Sequence, residues 1–170
     1  MRYLAAITLL ILALAMVQPV AAQSFKPDYN AGWEAFQQKD YTTALRHWRP
    51  LANRGHAKAQ NKLGWMYRQG WGVTQDHKQA VRWYRLAANQ GDALAQWNLG
   101  YIYRKGKGAL KDPVMAYVWF SISATNGFKP SKKHRDAVLE KLTDPERRLA
   151  LKLSARCFEK PASCPKYSSR

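Results

Sequence analysis

Acidic side chains are scarce in this chain. Its 170 residues hold 11 aspartates and glutamates against 28 lysines and arginines, a formal net charge of +17. Such an excess sets up a field that favours anionic partners, and it says nothing about the fold. Cysteine is rarer still, with Cys157 and Cys164 alone, both near the C-terminus. No histidine lies close to the pair, which argues against a metal site; in an exported chain, two cysteines at this spacing read as a disulfide. Closing so short a loop contributes roughly 2–3 kcal/mol in the chain-entropy view and staples the tail back on itself. Long apolar runs are missing as well. The run from Leu4 to Val17 has 14 residues, short of the roughly 20 that span a bilayer.

That run follows Met1-Arg2 and leads into Pro19-Val20-Ala21-Ala22. A basic start, a short apolar core and small residues before Gln23 describe a secretory signal peptide over residues 1–22, an uncleaved anchor being the rival reading. Cleavage after Ala22 leaves 148 residues with 27 basic and 11 acidic side chains, a charge of +16. That length suits one domain with a sizeable core. The destination is then the periplasm or the exterior, and the absence of a cysteine at the junction argues against a lipid anchor.

Catalytic patterns are thin. No Gly-x-Ser-x-Gly elbow, His-Glu-x-x-His zinc helix or Gly-Lys-Ser/Thr phosphate loop occurs. His47, His56, His77 and His134 are scattered, with no two at ligand spacing on a helix, so no metal and no cofactor is expected. Gly70-x-Gly72 and Gly106-x-Gly108 could suggest phosphate cradles, but glycines at interhelical turns are explained by helix termination.

What the chain does have is a repeat. Laying His56–Gly91 over Asp92–Gly127 gives 14 identities in 36 positions, among them Leu63/Leu99, Gly64/Gly100, Arg68/Arg104, Asp76/Asp112 and Trp83/Trp119. A fixed period of this size marks stacked helical units. In each unit the first helix carries Ala59, Leu63 and Tyr67, or their counterparts, on one face. Gly70 and Gly106 can take the left-handed conformation that ends a helix. Asp76 and Asp112 cap the second helix, with Pro113 at its first position. Ala80, Tyr84, Ala87 and Ala88 form its buried stripe, and Gly64 and Gly100 allow close helix approach.

The units divide the chain into a shortened first pair (25–55), two full repeats (56–91 and 92–127), closing helices (128–158) and a tail (159–170). The first pair lacks four residues between its helices, with Gly32-Trp33 answering Gly64-Trp65. The closing helices are read as 132–142, with Val138, Leu139 and Leu142 apolar, and 145–157, with Leu149, Leu153 and Arg156 in register. Thr143-Asp144-Pro145-Glu146 has the form of a capping box.

Ala-x-x-x-Leu-Gly-x-x-Tyr-x-x-Gly-x-Gly-x-x-x-Asp-x-x-x-Ala, followed by Trp-Tyr and Ala-Ala-x-x-Gly, resembles the Sel1-like repeat, a relative of the tetratricopeptide repeat. Ser123 departs from the Ala-Ala pair and Pro113 follows the cap. The resemblance implies an all-α, right-handed solenoid of helix pairs with a C-terminal capping pair. It also implies an adaptor or scaffold that binds a protein or peptide in its concave face rather than an enzyme. Some secreted Sel1-like proteins bind or hydrolyse β-lactams, and Ser163-x-x-Lys166 fits a Ser-x-x-Lys nucleophile. Pro165 interrupts that segment, however, no Lys-Thr-Gly or Ser-Asp-Asn partner exists, and the repeats lack the disulfides of those relatives.

Helical geometry marks a surface. At 100° per residue, Asn61, Trp65 and Arg68 lie opposite Leu63. Their counterparts are Trp97, Tyr101 and Arg104, and Trp33 aligns with Trp65. First helices of stacked pairs line the concave face, so these seven residues are the candidate groove for an extended peptide that is acidic or carries aromatics. The alternative is that the aromatics pack between helices and the arginines are solvated. A second class of partner, an anionic polymer or a membrane, would use Lys129, Lys132, Lys133, Arg135, Arg147 and Arg148. No nucleic-acid-binding motif is present.

Overall fold

A computed structural model describes residues 25–160 and Cys164, so the proposed leader and the Ser163–Lys166 pattern lie outside the described residues. The described chain is all helix: α1 (Tyr29–Gln37), α2 (Tyr41–Asn53), α3 (Ala57–Gln69), α4 (His77–Asn89), α5 (Ala93–Lys105), α6 (Pro113–Thr125), α7 (Pro130–Leu139) and α8 (Asp144–Glu159). None of these is long and apolar enough to cross a membrane. Each helix from α1 to α6 packs on the next, and α6 also receives α8, as a stack of helix pairs requires.

The pairs are held by one contact made three times. Gly32, Gly64 and Gly100 of the first helices lie flat against Trp48, Tyr84 and Phe120 of the second helices. A Cβ on Gly64 would stand 2.7 Å from a Tyr84 ring carbon, and one on Gly100 would stand 2.6 Å from Phe120. Only a hydrogen fits there, so the glycines set the interhelical distance. Trp48, Tyr84 and Phe120 are all fully buried, as are Ala80, Ala87 and Ala88.

Buried amides then join pair to pair. Gln60 donates to the carbonyl of Ala52 at the end of α2, and Gln96 donates to Ala88 at the end of α4, each at 3.0 Å. Gln90 and Asn126 close the two arrangements by donating to Gln60 and Gln96. These side chains satisfy carbonyls left free at helix C-termini, which would otherwise be buried unpaired.

Nearly every helix start uses an aspartate. Asp28, Asp40, Asp76, Asp92 and Asp112 accept from backbone N–H groups of the first turns of α1, α2, α4, α5 and α6. At α3 the Nδ1 of His56 performs this role, accepting from Ala59. Glu146 accepts from both the backbone N–H and the hydroxyl of Thr143, completing the expected box at α8. Most of the few acids are thus placed where helix dipoles favour negative charge. Among the described residues one ion pair remains, Arg135 to Asp136 at 2.7 Å.

The closing helices differ from the sequence expectation. The first of them starts at Pro130 and ends at Leu139, because proline suits a first helical position; Leu142 is buried in the connection instead. In α8 the buried residues are Ala150 and Cys157, while Leu149 and Leu151 are about half exposed. Small side chains fill the buried places, so Leu149 and Leu151 turn outward while Leu153 stays packed against the core. Ser123, which breaks the Ala-Ala pattern, is fully buried and accepts from Ser131 of α7 at 2.7 Å. The departure therefore fastens the cap to the last repeat. Cys157 and Cys164 form the expected disulfide, and both are buried.

Candidate functional site

The first helices α1, α3 and α5 present one continuous face, and a cavity of about 280 Å3 opens on it. Its lining residues are Trp33, Asn61, Lys62, Trp65, Arg68, Leu94, Trp97 and Asn98. They recur on α3 and α5 at helical spacing, with 61, 62 and 65 on one and 94, 97 and 98 on the other.

The floor is a relay of hydrogen bonds across the repeat boundary. Arg68 Nη1 donates to Asn98 Oδ1 at 3.2 Å, Asn98 Nδ2 donates to Asn61 Oδ1 at 3.3 Å, and Asn61 Nδ2 donates to Asp92 Oδ1 at 3.1 Å. The relay runs from a guanidinium to a carboxylate and joins the two repeats through side chains alone. Burial pushes the Asp92 carboxyl up from its ordinary value, against the pull of its backbone bonds and of Lys58 and Lys62. Asn61 and Asn98 are themselves buried, so their amides belong to the scaffold rather than to a rim.

The wall is aromatic and already holds a cation. The Lys62 ammonium sits 4.0 Å from the Trp33 ring centroid and 5.4 Å from that of Trp65. Burial lowers its proton affinity, partly offset by Asp92. Cation–π attraction of this kind contributes roughly 0.5–2 kcal/mol. Behind it, Phe36 bridges Trp33 and Trp65 with centroid distances of 5.6 and 5.0 Å, and Trp71 meets Trp65 edge-on at 4.8 Å. Trp33 and Trp65 pack between helices, and their remaining faces line the cavity.

Five of the seven expected groove residues, Trp33, Asn61, Trp65, Arg68 and Trp97, meet in this cavity. Tyr101 and Arg104 do not line it. Tyr101 stacks on Trp97 at 5.8 Å, and the Arg104 guanidinium lies 5.3 Å over Tyr101. Arg104 instead lines a second cavity, between α5 and α7. Its partner differs because the following unit is a cap and not a repeat. One period beyond Asn98 stands His134, which packs its ring against Trp97 and Phe120. Sequence reasoning missed Lys62, Leu94 and Asn98. The spacing was available, since Leu94 lies one turn before Trp97 and Asn98. What it lacked was the direction of the neighbouring helix.

A family model described as Sel1 repeat matches residues 29–56, 57–92 and 93–128. No curated protein matches the chain. A Sel1 repeat protein from Oxalobacter formigenes is similar in structure, with TM-score 0.64, 32% identity, and coverage of 67% of this chain and 47% of that one. A protective antigen present in uropathogenic Escherichia coli strains, displaying an SLR fold, gives TM-score 0.74 and 31% identity over 84% of this chain and 33% of that one. The chain therefore spans less than half the length of either structure.

Proposed function

The chain belongs to the Sel1 repeat family, and from that premise we propose that it is a non-enzymatic scaffold of the cell envelope. Its ligand is an extended peptide, acidic or bearing aromatics, held on the face of the first helices. The observation that carries this reading is the cavity shared by three successive units, in which Trp33 and Trp65 flank Lys62 and Arg68 joins the lining. Aromatic and arginine side chains dominate binding energy at protein interfaces, and both cations favour a ligand carboxylate. The apolar leader supports export to the periplasm or beyond.

The test is selection of peptides from a random library on purified protein, followed by affinity measurements. Peptides enriched in acidic and aromatic residues should lose at least tenfold in affinity, about 1.4 kcal/mol, for Trp65→Ala, and should be unaffected by Arg104→Ala. Selection of peptides indifferent to Trp65→Ala would discard the groove. A second reading, adhesion to an anionic polymer or membrane, is favoured by the placement of aspartates at helix starts, which leaves one ion pair, Arg135 to Asp136, among the described residues. Lys129, Lys132 and Arg135 line a cavity of their own beside α6. Binding that collapses between low and moderate salt would favour that reading. The β-lactam alternative rests on Ser163 and Lys166 and is decided by nitrocefin turnover.

A further inference from the structure

Arg104 closes a cluster of cations that the peptide groove does not use. Arg104 and Lys105 at the end of α5, Lys111 in the loop before α6, and Lys141 between α7 and α8 surround a cavity of about 530 Å3. Pro113, Ala137 and Val138 supply the rest of its lining, and no acidic side chain faces it. The acids nearest in sequence are accounted for or stand apart. Asp112 is turned to the Met115 N–H as a cap at 2.9 Å, Asp136 pairs with Arg135, and Glu140 is exposed outside the lining.

The buried Nε of both Arg68 and Arg104 has no acceptor among the described residues, but Arg68 still reaches Asn98 through Nη1, whereas the Arg104 guanidinium opens on this cavity. Its charge is felt nearby. His134 has a lowered proton affinity, first through burial and then through Arg104 and Lys133. Four like charges around an open cavity repel one another, and one carboxylate would leave most of that repulsion in place. A multiply charged anion cancels more of it, and the planar guanidinium matches phosphate oxygens bidentately.

We propose that Arg104, Lys105, Lys111 and Lys141 form a binding site for a polyvalent phosphate group, separate from the peptide groove. The phosphate could be carried by a soluble polyphosphate or by a lipid headgroup, and the experiment separates these sources. Tripolyphosphate is titrated calorimetrically into the full chain at 0.15 M salt. One-to-one binding is expected, weakened at least tenfold in the Lys111→Gln/Lys141→Gln double variant. Both lysines are exposed, so folding is not at stake, and circular dichroism confirms it.

The charge-matched control, Lys129→Gln/Lys132→Gln, should keep wild-type affinity. Arg104→Lys should retain charge yet lose affinity, because the fork is gone. Vesicles containing phosphatidic acid give the second arm. Loss of vesicle binding in the Lys111/Lys141 variant assigns a lipid source, and binding of tripolyphosphate alone assigns a soluble one. Equal weakening by both double variants, or no binding of either probe, overturns the proposal. The peptide groove can fail its own test without affecting this result.

Discussion

The two full repeats share a frame and differ on the face they offer. Residues 57–92 and 93–128 place the same glycine against the same aromatic position and cap their second helices with the same aspartate. In both, the backbone N–H of that cap residue, Asp76 or Asp112, closes the loop by donating to the carbonyl of Tyr67 or Tyr103 at 2.9 Å. On the open face the pairs diverge to Asn61/Trp97, Lys62/Asn98 and Trp65/Tyr101. Arg68 and Arg104 are identical residues in equivalent places, and one reaches an asparagine of the next unit while the other lines an open cavity. A repeat position thus has a fixed backbone role, but its side-chain chemistry depends on what stands next in the stack.

The shared frame should break in the same way in both copies. Gly64→Ala and Gly100→Ala each force a methyl into an aromatic ring, and each should cost about 1–3 kcal/mol through overpacking. Urea titration of the two variants checks this, and a large difference between them would mean that the copies do not share their spacing device. Asp76→Ala and Asp112→Ala remove equivalent caps. Each should lower stability by about 0.5–2 kcal/mol, with Asp76 at the upper end because it accepts from both Lys78 and Gln79.

The legible parts of the molecule follow from the same division. Alanine and leucine spacing, the glycines and the cap aspartates report on the chain's own helices, so the stripe of α4 and the box at Glu146 could be read directly. The stripe of α8 could not. Leu149 and Leu153 fit a helical period, yet only Leu153 packs against the core, and the fully buried places go to Ala150 and Cys157. The groove shows the same limit. Angular arithmetic placed Trp65 and Arg68 on one side of α3, yet whether an arginine meets an asparagine or an open cavity depends on the following unit. Nothing in Arg104 itself distinguishes it from Arg68.

One internal difference between the copies suggests a gain in stability. Tyr84 and Phe120 occupy the same place, but the buried Tyr84 hydroxyl has no partner among the described residues. Desolvation holds its proton affinity far above the ordinary tyrosine range. Writing the second repeat's residue into the first, Tyr84→Phe, removes an unsatisfied polar group at nearly constant shape. Stability should rise by up to about 1 kcal/mol, seen as a higher midpoint with an unchanged slope in urea. A loss of stability instead would show that the hydroxyl has a role in the frame.

The smallest effect separates two acids at helix starts by the sign of their pH dependence. Glu146 is exposed and is held below its ordinary range by bonds from Thr143, so its contribution is present above the unfolded value and lost as the solution becomes acidic. Asp92 is half-buried at the repeat boundary, and burial holds its carboxyl above the ordinary value of 3.8. The folded chain then binds that proton more tightly than the unfolded chain. Its contribution is most favourable below 3.8 and declines as pH rises through the folded value. Asparagine caps a helix about as well as aspartate and cannot ionise. Asp92→Asn should therefore match the wild type near pH 3 and exceed it near pH 6, whereas Glu146→Gln should fall behind the wild type over the same interval. Melting curves from pH 3 to 6 read both differences. If Asp92→Asn instead loses stability as pH rises, attraction from Lys58 and Lys62 outweighs desolvation, and the floor of the groove is held together by charge.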